Sequence, residues 1–426
     1  MKTVRFPYGK EYLTYDFEGE NFLGTLTSSL HGYTPELHGE ALVRRAMANP
    51  IGAPSLSALA KGKRRIVLIA SDHTRPVPSK IIIPPMLEEI RAAEPQAEIT
   101  ILIATGCHRD TTEAELIAKF GEEIVRNEHI VVHDAAKDED LVHLGTLPSG
   151  GALRINRLAA EADLLVSEGF IEPHFFAGYS GGRKSVLPGI ASRETVLANH
   201  CSEFIAHPLA RTGILEGNPV HRDMLWAAKR AGLAYIVNVV IDENKEALYA
   251  VAGDVEAAHR AGCDFLSRLC RVAPMPADIV LSTNGGYPLD QNIYQSVKGM
   301  TAAEATVKDG GVIIMISRAN DGHGGEAFFH QLADEPDIDK TMAQFLSRGR
   351  NETVPDQWQT QILLRILKRA AVILISDAPR EMVEAMHMVP ARDIGEAMAI
   401  ARSILKKDDP TVTASPDGVA VMVVAE

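Results

Sequence analysis

Runs of consecutive apolar residues recur along the chain, and each breaks off into a polar loop. They are RRIVLIASD (64–72), EITILIATG (98–106), ADLLVSEGF (162–170), LAYIVNVVID (233–242), ADIVLSTNGG (277–286), GVIIMISRAND (311–321) and AAVILISD (370–377). Unbroken Val/Ile/Leu runs of this length suit strands covered on both faces. Between them lie segments with helical character: PPMLEEIRAAE (84–94), TTEAELIAKFGEEIVRNE (111–128) and VHRDMLWAAKRAG (220–232). Strands alternating with helices predict α/β layers around mostly parallel sheets. The stretch CRVAPMPADIV (270–280) carries two prolines just before a new strand. It marks the expected boundary between two α/β domains, an N-terminal one over 1–272 and a smaller C-terminal one over 273–426. The final run VAVMVVAE (419–426) is assignable to either domain. No fixed-period repeat and no low-complexity segment interrupts the pattern.

Composition narrows the function classes. A chain of 426 residues corresponds to roughly two to three domains, and 46% hydrophobic with 23% charged residues is ordinary for a globular protein. The net charge is −13, and no Lys/Arg block offers the basic face of a nucleic-acid binder. The four cysteines, Cys107, Cys201, Cys263 and Cys270, form no C-x-x-C pair, which argues against a structural zinc site and against a disulfide scaffold. The start MKTVRFPYGKEYLTYDFEGE lacks the apolar centre of a signal peptide, and no apolar run approaches the ~18 residues of a membrane span. The expected setting is cytoplasmic.

Candidate chemistry concentrates where the strands end. Ligands of open α/β sheets bind beyond the carboxyl ends of the strands, and five loops there are dense in Gly, His, Arg, Lys and Asp. They are SDHTRPVP (71–78), ATGCHRD (104–110), EGFIEPHFFAGYSGGRKS (168–185), STNGGYPLDQNIYQSVKG (282–299) and SRANDGHGGE (317–326). The third is a near miss of a Walker phosphate loop: counted from Gly178, Arg183 stands where G-x-x-x-x-G-K-[ST] has its second glycine, while Lys184-Ser185 fits. Its glycines still allow backbone amides to approach an anion. GHGGEA (322–327) follows a strand but does not complete a dinucleotide fingerprint.

Single residues carry different weights. His108 and His174 close different strand-end loops and suit an acid and a base on opposite faces of a substrate, although either one taken alone is better explained by a bond to a loop carbonyl. His200 falls in ASRETVLANHCSEF (191–204), a predicted helix capped by Ser192, beside Cys201. An imidazole there suits a metal, but no partner histidine stands one turn away. Arg75, after Asp72-His73-Thr74, suits bidentate binding of carboxylate or phosphate. Gln295 and Lys298 share one helical face if YQSVKGM is helical. Lys298 then suits a substrate carboxylate, or is a solvated surface lysine. Trp358 walls a small pocket or fills core.

Taken in order, SDHTRPVP, ATGCHR, EPHFFAGYSGGRKSVLPGI, ANH, STNGGYPLDQNIYQSVKGM and DGHGGE resemble the nickel-pincer-dependent lactate racemase family, which comprises 2-hydroxy-acid racemases. The resemblance extends from about residue 50 to about 380, with no departure at the motif positions. It implies two α/β domains with mostly parallel sheets and an active site in the interdomain cleft. It implies a nickel cofactor, the Ni(II)-pyridinium-3,5-bisthiocarboxylate mononucleotide, held covalently on Lys184, with His200 as the protein's nickel ligand. It further implies Asp72, His73, Thr74 and Arg75 against the cofactor, His108 and His174 as acid–base pair, and Arg75, Tyr294, Gln295, Lys298 and Trp358 around the substrate. The implied reaction interconverts D- and L-lactate by reversible hydride transfer to the cofactor, which accessory enzymes synthesise. The rival expectations are a racemase of malate or a bulkier 2-hydroxy acid, a phosphotransferase using Lys184 on a phosphate, and a non-catalytic carrier of the nickel compound.

Overall fold

The computed structural model describes residues 2–424. The chain divides into two compact units, one of residues 30–268 and the other of residues 1–29 with 269–426.

The unit of residues 30–268 is built on a six-stranded sheet. Its spatial order is Ala247–Gly253, Leu233–Ile241, Leu164–Phe170, Arg65–Ser71, Glu98–Ala104, His129–Val132. The first pair is antiparallel and all other pairs are parallel. The chain therefore lays down Arg65–Ser71 first, winds outward on one side, then returns to wind outward on the other. This doubly wound order places its switch point between Arg65–Ser71 and Leu164–Phe170, the crevice where such sheets take ligands. Alternate residues of the central strand face opposite layers, yet all are buried. Leu68 lies in register with Ile101 and Val166 and packs with Ile82, Ile83, Met86 and Ile90 of the helix Ser79–Ala93, while Val67 and Ile69 are buried on the other face. That explains the unbroken apolar runs.

The second unit carries a wholly parallel six-stranded sheet, ordered Val389–Ala391, Ala371–Ile375, Val307–Ile316, Ala277–Thr283, Thr411–Ser415, Asn21–Thr25. Residues 1–29 thus belong with the C-terminal half, whereas the boundary expected at residue 272 places them with the N-terminal half. The reason is edge pairing and burial. Asn21–Thr25 adds to the sheet edge beside Thr411–Ser415, and Val4, Phe6 and Phe17 of the preceding hairpin join a core with Ile279, Leu281, Val312 and Ile314. Within the run 419–426, Met422–Val423 pairs with Arg271–Val272 in this same unit; residues 425 and 426 lie outside the described residues.

Three helices differ from the pattern's forecast. The segment 111–128 forms two helices, Glu113–Phe120 and Glu122–Asn127, because Gly121 between them takes a left-handed φ of 91°. The helix expected from Pro84 begins earlier, at Ser79, and runs through both prolines. The segment 191–204 breaks after Arg193–Asn199, capped as expected by Ser192, and resumes at Ser202–Ala206. His200 is therefore the C-cap residue of the first helix rather than a mid-helix position.

Candidate functional site

In the unit of residues 30–268, three loops leave the carboxyl ends of three adjacent strands. Arg65–Ser71 is flanked by Glu98–Ala104, which leads to His108, and by Leu164–Phe170, which leads to His174. Parallel strands lie about 4.8 Å apart, so the outer strand ends are separated by roughly 10 Å, a span that suits a small molecule.

The first cluster is built around Asp72. Its carboxylate is buried, accepts from His108 Nδ1 at 2.7 Å, and accepts on its other oxygen from the Thr74 hydroxyl at 2.7 Å and the Thr74 amide at 3.2 Å. Burial pushes this carboxyl up, but His108, the Arg75 guanidinium and the Thr74 hydroxyl more than offset it, and the group stays below its usual value. Asp72 is therefore an anion that fixes the ring of His108, whose side chain is 42% exposed. A carboxylate behind Nδ1 directs Nε2 outward with its lone pair, as a general base requires.

Below this loop sits a residue that the motifs did not single out. Glu168 is buried at the end of Leu164–Phe170, accepts from the Ser71 amide at 2.7 Å, and accepts from the Ser79 hydroxyl at 3.2 Å. It ties the end of one strand to the start of the Asp72 loop and to the helix after it. Burial raises its pKa and lowers that of Lys119, whose ammonium donates to the Arg75 carbonyl at 2.9 Å. Arg75 lines an open pocket of about 480 Å³ with His73, Lys80, Glu115, Lys119 and Lys245. The His73 ring lies 3.0 Å from the Thr111 hydroxyl. The detectable signal for Glu168 was a charged residue inside an otherwise apolar strand run.

The second cluster surrounds Phe176. The ring of His174 meets it edge-on at 4.6 Å, the ring of His200 at 5.2 Å, and the Lys184 ammonium lies 5.9 Å from its centre. His174, Lys184 and His200, spread over 27 residues of sequence, thus converge on one aromatic side chain. His200 is buried, and its Nδ1 donates to the Val196 carbonyl at 2.9 Å. Burial, reinforced by the charge of Lys184, pushes its pKa down to about 3. It is a neutral imidazole with its proton on Nδ1, the tautomer that can ligate a metal through Nε2. Among the described residues no group of three or more His, Cys, Asp and Glu side chains could hold a metal, so a metal at His200 needs its other ligands from a bound group.

Lys184 stands on a single 3-10 turn, Gly182–Ser185, not on the first turn of a long helix such as phosphate loops use. Gly181 and Gly182 have φ of 74° and 53°, and a Cβ on them would lie 2.7 Å from the Phe170 carbonyl and 2.7 Å from His259 respectively. The glycines therefore serve close packing as well as turning. Arg183 at the Walker glycine position is fully buried. It donates to the carbonyls of Ala177, Ser180 and Gly181 and to His221, and lies 3.0 Å from His259. It is the internal strut of the loop, and burial lowers its pKa to about 10.

In the second unit, the expected helix is present as Ile293–Glu304, capped by Asn292, whose side chain accepts from the Gln295 amide at 2.9 Å. Ile293, Ser296, Val297 and Met300 are buried, while Tyr294, Gln295 and Lys298 are half-buried and share its outer face. The DGHGGE loop supports the helix start, with its carbonyls of Gly322 and His323 accepting from the amides of Ile293 and Tyr294. Trp358, half-buried, opens the helix Gln357–Arg369. The next residue, Gln359, donates to the Tyr294 carbonyl.

A model of the lactate racemase N-terminal domain matches residues 8–213, and one of the lactate racemase C-terminal domain matches residues 272–423. The chain belongs to the lactate racemase family. It is 56% identical to a lactate racemase of Thermoanaerobacterium thermosaccharolyticum over 424 residues, 99% of each chain. It is 52% identical to a lactate racemase of Lactiplantibacillus plantarum over 426 residues, 99% of this chain and 100% of the relative. The solved lactate racemase apoprotein of T. thermosaccharolyticum superposes with a TM-score of 0.95 at 55% identity, covering 99% of this chain and 100% of that one. A Thermotoga maritima protein shares the fold at TM-score 0.65 and 20% identity, over 90% of this chain and 98% of that one. As a family member the chain is an isomerase of the racemase type. Among the described residues no helix is long and apolar enough to cross a membrane.

Proposed function

We propose that this chain racemises lactate with the nickel-pincer mononucleotide held on Lys184. The observation that carries the proposal is the convergence of His174, Lys184 and neutral His200 on Phe176. The donor set fits the group: an amine for covalent attachment stands beside one buried imidazole in its ligating form, and imidazole suits Ni(II). Asp72, His73, Thr74 and Arg75 are assigned to the same group. When bound, it supplies an electrophilic acceptor for the hydrogen on the hydroxyl-bearing carbon, chemistry that no side chain offers.

The chain's own residues do the rest. Arg75 in the one unit, and Lys298, Gln295, Tyr294 and Trp358 in the other, are each assigned to the recognition of a small 2-hydroxy acid, the two cationic side chains suiting its carboxylate. His108 accepts the hydroxyl proton at Nε2, and the Asp72 carboxylate offsets the imidazolium charge that results. His174 serves the enantiomer whose hydroxyl faces the other way. The accessory enzymes that make the cofactor are the implied partners.

Cofactor-loaded protein given pure D-lactate is expected to produce an equal mixture of enantiomers, followed by chiral chromatography. No conversion of lactate, malate or any other short 2-hydroxy acid by protein of verified loading would sink the proposal. Preferential turnover of malate would replace only the substrate.

A further inference from the structure

The two histidines have different neighbours, and the difference concerns their protons. We propose that His108 and His174 are held in opposite tautomers, so that His108 stands ready as the base while His174 is a hydrogen-bond donor until its contact with the Ala177 amide opens. This rests on the assignment of both residues to the acid–base pair.

His108 Nδ1 faces Asp72 Oδ2 at 2.7 Å. Oδ1 already accepts from the Thr74 hydroxyl and amide. An ionised carboxylate only accepts, so Nδ1 of His108 carries the proton and Nε2 the lone pair. His174 Nδ1 instead accepts from the Ala177 backbone amide at 3.3 Å. A backbone N–H only donates, so Nδ1 holds the lone pair and the proton of the neutral ring is on Nε2. The ring is fixed in that sense. It stacks on Phe175 at 5.0 Å and 21°, meets Phe176 edge-on at 85°, and its backbone is paired with Gly178 in a short hairpin.

The consequence follows from proton balance. When His108 takes a hydroxyl proton, the substrate O–H bond breaks, an Nε2–H bond forms, and Nδ1–H remains on Asp72. Nothing else has to move. For His174 to act through Nε2, either as neutral base or as the imidazolium formed from it, Nδ1 must carry a proton. That proton would face the Ala177 N–H, donor against donor. The Ala177 contact therefore opens before His174 takes a proton. Until then the neutral His174 ring keeps its proton on Nε2, the reverse of His108.

The tautomers are measurable without turnover. In apoprotein carrying 15N-histidine at about pH 8, some 1.5 units above the usual histidine value of ~6.5, long-range proton–nitrogen correlation separates Nδ1–H from Nε2–H rings. His108→Gln and His174→Gln identify the two signals by their loss; His174→Phe does the same should the glutamine variant not fold. The expected result is Nδ1–H for His108 and Nε2–H for His174, with Asp72→Asn altering the His108 pattern and leaving that of His174 unchanged. The same tautomer in both rings, or an Nδ1 proton on His174, overturns the inference. Equal tautomers in a chain that racemises lactate would remove this inference alone, whereas unequal tautomers in a loaded chain that racemises nothing would remove the proposed activity alone.

Discussion

The two units present their candidate residues in contrasting ways. In residues 30–268 the chemistry rides on irregular loops held by buried polar groups: Glu168 under the Asp72 loop, and Arg183 with His221 and His259 under the Lys184 loop. In the other unit Tyr294, Gln295 and Lys298 stand on the outer face of a regular capped helix whose inner face is apolar. Loops can bring residues distant in sequence to one point and shift their proton affinity, at the cost of satisfying every buried donor and acceptor. A helix face offers fixed spacing. On the proposed reading, proton and cofactor chemistry falls to the first unit, which also supplies Arg75 to the substrate, and the second unit supplies the remaining substrate-recognising residues.

Substitutions break or sharpen that division in a definite order. The largest effect is expected at Lys184. Lys184→Ala should abolish racemisation and covalent loading together, read by activity and intact mass; residual turnover in a chain without adduct would undo the division at its centre. Next comes Asp72→Asn, which keeps the shape but reverses the direction of the hydrogen bond to His108. By analogy with other carboxylate-oriented histidines, kcat should fall on the order of 10³-fold or more, with KM little changed. Lys298→Ala should act on the other side of the contrast. Losing a charged hydrogen bond worth about 1.5–3 kcal/mol should raise KM roughly tenfold to a hundredfold while leaving the Lys184 adduct intact. An equal loss of adduct would show that the helix face serves the cofactor as well.

The smallest effect is a matter of stability. His221 is buried beside Arg183, and burial followed by that charge lowers its pKa to about 3. Between about 6.5 and about 3 the unfolded chain binds a proton that the folded chain refuses, so this contribution is full above about pH 6.5 and is lost as pH falls. From about pH 7.5 to about 5.5 the loss is about 1 kcal/mol for this residue. Urea unfolding of His221→Gln, whose amide oxygen can still accept from Arg183, should show a correspondingly flatter dependence. An unchanged slope would mean that His221 keeps its proton affinity in the folded state.

Much of this was legible in the sequence, for identifiable reasons. Strands buried on both faces are unbroken apolar runs, so the central strands and the loops after them could be read directly, and with them the places of His108, His174 and Lys184. The hairpin and strand of residues 2–25 could not be placed, because nothing local to EYLTYDF or NFLGT specifies which sheet edge accepts them. The break at His200 was also hidden, since ANHCSEF continues a helical composition while Cys201 takes an extended conformation. Glu168 left a trace as a charge within LLVSEGF. Phe176 left none, because a packing partner for three polar residues looks in sequence like any core phenylalanine.

The most direct test is peptide mapping with nickel quantification on the protein purified from its own host. The account predicts one nickel per adduct-bearing chain and a mononucleotide-sized mass increment confined to the peptide containing Lys184. Nickel-loaded, racemising protein whose Lys184 peptide is unmodified would contradict it.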